Sequence, residues 1–214
     1  MKRAALLLLY AALCTAPAIG QLPAPMAFDS YSACSTSTCV WVPYSEDKTF
    51  THGHYTFTVD TKDKNETDGV FRLLQDNKIL LSTPLRHLSA SVSVVWSPND
   101  SGFSLTWSDG GAIGMFRTRV FLLEKGLFVE KPITSFAFTD FKKRHFCRAR
   151  GDNIQAYNWP SPNSILLVMS VYPTSDCGAD MGHLEAYLVS TTNGTILQRM
   201  TADQFMAYSN SHPQ

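Results

Sequence analysis

A tryptophan ahead of a serine-proline turn occurs twice in this chain, and the apolar runs around it limit the fold more than any other feature. The first copy reads Val94-Val95-Trp96-Ser97-Pro98-Asn99-Asp100 and leads into Phe103-Ser104-Leu105-Thr106-Trp107. The second reads Tyr157-Asn158-Trp159-Pro160-Ser161-Pro162-Asn163-Ser164 and leads into Ile165-Leu166-Leu167-Val168. The two tryptophans stand 63 residues apart. Each time an apolar run enters a Pro-Asn turn and another leaves it, the pattern of a hairpin inside a repeating β unit. The motif bears on architecture and carries no chemistry.

Three other hairpins share a simpler form, with a polar turn between two apolar strands. Phe71 to Leu74 and Ile79 to Leu81 flank one turn, Arg119 to Leu123 and Leu127 to Val129 the next, Glu185 to Val189 and Thr195 to Leu197 the last. The second and third each follow a Trp-Pro hairpin. This predicts two double-hairpin units, about 92–130 and 154–200, and a degenerate first unit over 38–82. In that first unit Val40-Trp41-Val42 is a candidate opening strand, Tyr55 to Val59 alternates as a strand does, and Thr61 to Gly69 reads as an exposed loop.

Between the last two units the period changes. Thr134 or Ser135 is a candidate cap for a helix over 135–146. Ile133, Phe136, Ala137 and Phe141 would share one face, and Lys142, Lys143 and Arg144 fall where the helix dipole favours cations. Phe136 and Phe138 also fit strand alternation. Thr201-Ala202-Asp203-Gln204 has the form of a capping box ahead of Phe205, Met206 and Tyr208. The chain thus reads as all-β: antiparallel, propeller-like or sandwich-like repeated double hairpins, about three units, with one or two short helices.

The two Trp-Pro units resemble the WD-like repeats of TolB-type β-propellers, in which a Trp-Ser-Pro-Asp/Asn turn joins two strands and a later Gly-containing turn closes the blade. Trp96-Ser97-Pro98-Asn99-Asp100 matches well, and Trp159-Pro160-Ser161-Pro162-Asn163 departs by an inserted proline. The resemblance covers about 80 residues of the 214 and rests on one short motif. Closed propellers typically have four to eight blades. A chain with room for about three implies an open ring or a twisted sandwich whose sheet edges need cover.

Residues 1–20 have the form of an export signal: Lys2 and Arg3, an apolar stretch from Ala4 to Leu13 too short to span a bilayer, and Ala18-Ile19-Gly20 at the cleavage positions. Cys14 follows Leu13, where a lipobox requires a small residue, which argues against a lipid anchor. A loose leader over 21–37 and a single β-rich domain over 38–214 follow, and the expected location is periplasmic or secreted. No later stretch is apolar enough to form a transmembrane segment. Cleavage leaves 16 basic against 18 acidic side chains, a balance with no general attraction for nucleic acid or an anionic membrane.

Four cysteines remain after cleavage: Cys34, Cys39, Cys147 and Cys177. An even number in an exported chain points to disulfides, and four allow three connectivities. The expected pairs are Cys34 with Cys39 and Cys147 with Cys177. Their spacing fits no zinc knuckle, and no cofactor is expected.

The densest polar cluster is Asp176-Cys177-Gly178-Ala179-Asp180-Met181-Gly182-His183-Leu184-Glu185, which reads as a long loop pinned by Cys177. His52 and His54 would share a face in an extended segment. Ser108-Asp109-Gly110-Gly111 lacks the Lys-Ser/Thr of a phosphate-binding loop and reads as a hairpin loop. Lys142-Lys143-Arg144-His145 reads as a solvated basic face, and Arg150-Gly151-Asp152 as a chance adhesion tripeptide. No nucleophile elbow is present. The sequons at Asn65, Asn99 and Asn193 fall in expected loops.

Two function classes follow. The first is a non-catalytic binding or structural module of the cell envelope or secreted fraction. It would contact a protein or glycan partner through inter-strand loops, with Asp109, Asp176, Asp180, His183 and Glu185 as binding residues. The loops around 108–111 and 175–183 follow equivalent strands of stacked units, so both should emerge at the same end. The second class is a metal-dependent hydrolase using His183, Glu185 and Asp180 with His52 and His54. Convergence of those imidazoles in one cleft separates the two classes.

Overall fold

The computed structural model describes residues 39–41, 49–61, 68–88, 91–108, 115–145, 153–171 and 175–212, with only the backbone of 39–41 and of 175–176. The expected signal and leader lie outside the described residues. So do Cys34, Cys147, Asp109, the sequon at Asn65 and the Arg-Gly-Asp tripeptide.

The first strand, β1 (Cys39–Trp41), belongs to a later sheet. The next four, β2 (Thr49–His52), β3 (Tyr55–Thr61), β4 (Gly69–Gln75) and β5 (Lys78–Leu85), pair in chain order as one antiparallel sheet. β6 (Ser91–Trp96), β7 (Gly102–Ser108), β8 (Phe116–Glu124) and β9 (Leu127–Lys131) form the second. After helix α1 (Ile133–Arg144), strands β10 (Ile154–Ser161), β11 (Ser164–Ser170), β12 (Leu184–Ser190) and β13 (Ile196–Thr201) form the third, and α2 (Ala202–Ser211) follows. The protein is therefore all-β in class, with three four-stranded meanders where the repeat pattern placed three units. The tight turns after β4 and β8 put Asp76, Asn77, Lys125 and Gly126 at positive φ, the geometry that matches hairpin twist.

The sheets stack in chain order. One core cluster fills the space between the first and second sheets, from Phe57, Phe71 and Leu73 to Phe103, Leu105 and Trp107. A second lies between the second and third sheets and includes Val120, Ile165, Leu167 and Tyr187, with Ile133, Ala137 and Phe141 of α1. A third joins Leu166, Val168 and Ala186 to Phe205 of α2. No cluster among the described residues joins the first sheet to the third. This layering explains why β7 is buried at every position and β11 at all but its last. Successive side chains of β11 alternate between two cores, Ile165 and Leu167 to one and Leu166 and Val168 to the other.

Both motif tryptophans wedge against the preceding sheet. Trp159 is 5% exposed, and its indole Nε1 donates to Ser104 Oγ of β7 at 3.4 Å. Trp96 packs beside Tyr55, Phe103 and Phe128 and stacks on His52 at 4.6 Å between centroids. It is only partly buried, because the first sheet ends in front of it at the β2–β3 turn. Polar contacts also cross between sheets. The Thr118 hydroxyl donates to the Ile154 carbonyl and meets the Thr106 hydroxyl, both at 2.8 Å.

Three local expectations change. β1 pairs with β6, placing Val40 opposite Val92, so it extends the second sheet rather than opening the first. α1 begins two residues earlier than expected, with Pro132 at the N-cap position and no side-chain cap; Thr134 and Ser135 lie inside it. Proline tolerates this place because it has no N–H to satisfy. Phe136 is 47% exposed and leaves the buried face to Ile133, Ala137 and Phe141. At the C-terminus the capping box forms residue by residue: Gln204 N donates to Thr201 Oγ1 and Thr201 N donates to Gln204 Oε1. Cys177 is buried and disulfide-bonded.

Candidate functional site

The stack has two distinct ends. One carries the tight turns β6–β7, β10–β11 and β12–β13 and the start of α1. A cleft of about 480 Å³ opens there, lined among others by Leu122, Ile133, Phe136, Pro162 and Thr191. The other end carries the longer connections β7–β8, α1–β10 and β11–β12. Asn153 ties the bases of all three. Its side-chain carbonyl accepts from Phe116 N at 3.0 Å, and its amide donates to Ser170 Oγ at 2.7 Å. The described strand ends that bound the 108–111 and 175–183 loops therefore lie at the same end of the stack.

At that end α1 delivers Arg144 and, as its C-cap, His145, whose N–H donates to the Phe141 carbonyl. β12 presents Glu185 and Tyr187 two residues apart on one face. The segment before β12 is fixed by glycines at positive φ, Gly178 and Gly182. Two backbone bonds hold His183: its N–H donates to the Asp180 carbonyl at 3.0 Å, and its carbonyl accepts from Val171 N at 2.8 Å.

These residues form one network. Arg144 donates from Nη1 to Glu185 Oε1 at 2.7 Å and from Nη2 to Oε2. Arg144 also donates to the Tyr187 hydroxyl, which donates to Glu185 Oε2 at 2.8 Å. One turn back, Asp140 accepts from Arg199 of β13 through two bonds of 2.7 Å and from Arg144 at 3.3 Å. Burial pushes the Glu185 carboxyl up, but the bonds from Arg144 and Tyr187 and the guanidinium charge outweigh it, leaving it lowered and ionised. Burial, and then the bond to Glu185, raise the Tyr187 phenol well above its ordinary range. The Arg199 bonds hold Asp140 low against a smaller opposing effect of burial.

Beside this network stand two imidazoles. His145 Nε2 lies 3.4 Å from Glu185 Oε1, and His183 Nε2 lies 3.7 Å from the same oxygen. The two rings stack with centroids 4.0 Å apart. His145 Nδ1 faces Asp180 Oδ1 at 3.5 Å.

Of the expected site residues, the structure brings Asp180, His183 and Glu185 together. Only the backbone of Asp176 is described, and Asp109 lies outside the described residues. The five residues of the hydrolase reading do not converge. His52 stacks on Trp96 and bonds Asp100 Oδ1 at 2.8 Å, beside the β6–β7 turn at the opposite end. His54 is exposed in the neighbouring turn. Arg144 and His145 are not the solvated face the basic run implied, since Arg144 holds Glu185 and the His145 side chain is 11% exposed. Sequence reasoning also passed over Tyr187, although Glu185-x-Tyr187 has the period of one strand face.

No family model, curated protein or solved structure matches the chain. No described helix is long and apolar enough to cross a membrane.

Proposed function

We propose that the protein is an exported, non-catalytic binding module of the cell envelope or secreted fraction. It contacts a protein or glycan partner with the end of the sheet stack that carries the β7–β8, α1–β10 and β11–β12 loops. The observation that carries this reading is the pair of hydrogen bonds that the Asn153 side chain makes with Phe116 and Ser170, which ties together the described ends of these connections. Loops on a rigid scaffold are where binding surfaces concentrate. Met181 is half exposed on this surface, and Asp180 and His183 stand beside it, a mixture of apolar and polar groups suited to either class of partner. The likeness of the Trp-Pro units to TolB-type repeats supports the same reading, because such blades present loops from one face. Glu185 is engaged by Arg144 and Tyr187 and stays ionised, which suits it to structure and recognition and not to proton donation.

The test is a pull-down from envelope extract with the wild type beside an Asp176→Ala/Asp180→Ala double variant, run in parallel on immobilised glycans. Loss of a partner or glycan from the double variant is expected. Equal recovery of every partner by both proteins removes the loop from any binding role.

A further inference from the structure

The geometry points to a divalent transition-metal site, of the zinc class, formed by His145, His183 and Glu185. One ligand atom from each lies within 4.8 Å of the others. The two carboxylate–imidazole distances are longer than hydrogen bonds and close to the edge of a metal's ligand shell. A hydrogen bond between an imidazole N–H and a carboxylate closes to about 2.7–2.9 Å. Glu185 Oε1 is instead 3.4 Å from His145 Nε2 and 3.7 Å from His183 Nε2. A tetrahedral ion with bonds of about 2.0–2.1 Å to nitrogen and oxygen holds its ligand atoms roughly 3.3–3.4 Å apart.

A second observation points the same way. His145 Nε2 is buried and has no hydrogen-bond partner. A buried imidazole nitrogen without a hydrogen-bond partner, beside a carboxylate oxygen and a second imidazole, has the setting of a metal ligand. The surrounding shell has the form metal sites need. Asp180 Oδ1 stands 3.5 Å from His145 Nδ1, while Arg144 bridges both oxygens of Glu185 and Tyr187 donates to Oε2, which holds the carboxylate ionised and fixed beside the imidazoles. His183 is 43% exposed, and its backbone is pinned on both sides, so its ring can open from the stacked position without moving the loop. Its exposure leaves the fourth position to water. Two nitrogens and one oxygen favour zinc, cobalt or nickel over calcium or magnesium. The site does not depend on the partner-binding reading, since the ion is measured with no partner present.

The experiment is calorimetric titration of the untagged chain with Zn²⁺ alone. One saturable site per chain is expected. His183→Ala should weaken it at least tenfold, and Asp180→Asn by about 10–100-fold through loss of the His145 positioning contact. His54→Ala, at the far end of the stack, should leave it unchanged. Far-UV circular dichroism checks that each variant folds. Absence of saturable binding below about 1 mM Zn²⁺ overturns the proposal, as does wild-type affinity in His183→Ala. Cobalt titration of the wild type needs no variant: four-coordinate visible absorption is expected, and no change in the spectrum also overturns the site.

Discussion

Glu185 carries a negative charge in a place that is 11% exposed, and it can do so because a guanidinium and a phenol hold one edge of its carboxylate. Replacing it by Gln removes the charge and leaves Arg144 under-compensated. Hydrogen bonds to charged groups contribute about 1.5–3 kcal/mol, so a loss of that order at neutral pH is expected in chemical denaturation. The pH dependence has a definite sign. The carboxyls of Glu185 and Asp140 bind protons less readily folded than unfolded. Their contribution is complete above the ordinary glutamate value of 4.5 and is lost as pH falls below it through the folded values. Glu185→Gln should therefore flatten the acid limb of the stability profile, and an unchanged limb would show that Glu185 does not contribute to it. At this scale the sequence was half legible. Asp180, His183 and Glu185 stand in one polar cluster of the chain. Arg144 and His145 looked like part of a solvated run because nothing local records which turn of α1 meets β12.

The elements were more legible than the side chains they present. Strand alternation, turn residues and a capping box act within a few residues, so the hairpins and the start of α2 can be read locally. The start of α1 could not, because burial of Ile133 against the second and third sheets draws the helix back to Pro132, past the better caps. Hairpin contributions are testable at the wedges. Trp159→Ala should cost about 3–5 kcal/mol in thermal or chemical unfolding. Trp96→Ala should cost less, since its ring is partly exposed. Equal losses would contradict the burial difference between the two repeats. The polar bridge between sheets offers a second test. Thr118→Val keeps the shape of the side chain and leaves the Ile154 carbonyl unpaired. A loss of about 1–3 kcal/mol is expected, and none would mean that the bridge contributes nothing net.

For the whole molecule, the repeat count was legible and the closure was not. Two Trp-Pro motifs announce units, but whether stacked sheets curve back to meet depends on contacts between the ends, which no motif encodes. The buried, disulfide-bonded Cys177 sits in the core between the second and third sheets. Pairing with Cys147 closes a loop of roughly 30 residues, for which the chain-entropy treatment gives about 3 kcal/mol. Unreduced peptide mapping should recover the Cys147–Cys177 cross-link, and free thiol at Cys147 would exclude it. The pairing of β1 with β6 also sets an order of events. Every other described strand bonds to a neighbour in sequence, so each meander can form as soon as its own residues are available. β1 cannot, because Cys39 finds Ser93 only after the whole first sheet has been laid down between them. Contacts so distant along the chain close late and cost loop entropy. β1 thus works as a latch on the second sheet: it ties the chain ahead of the first sheet to β6, closing late and, by the same reasoning, opening early when the molecule is strained.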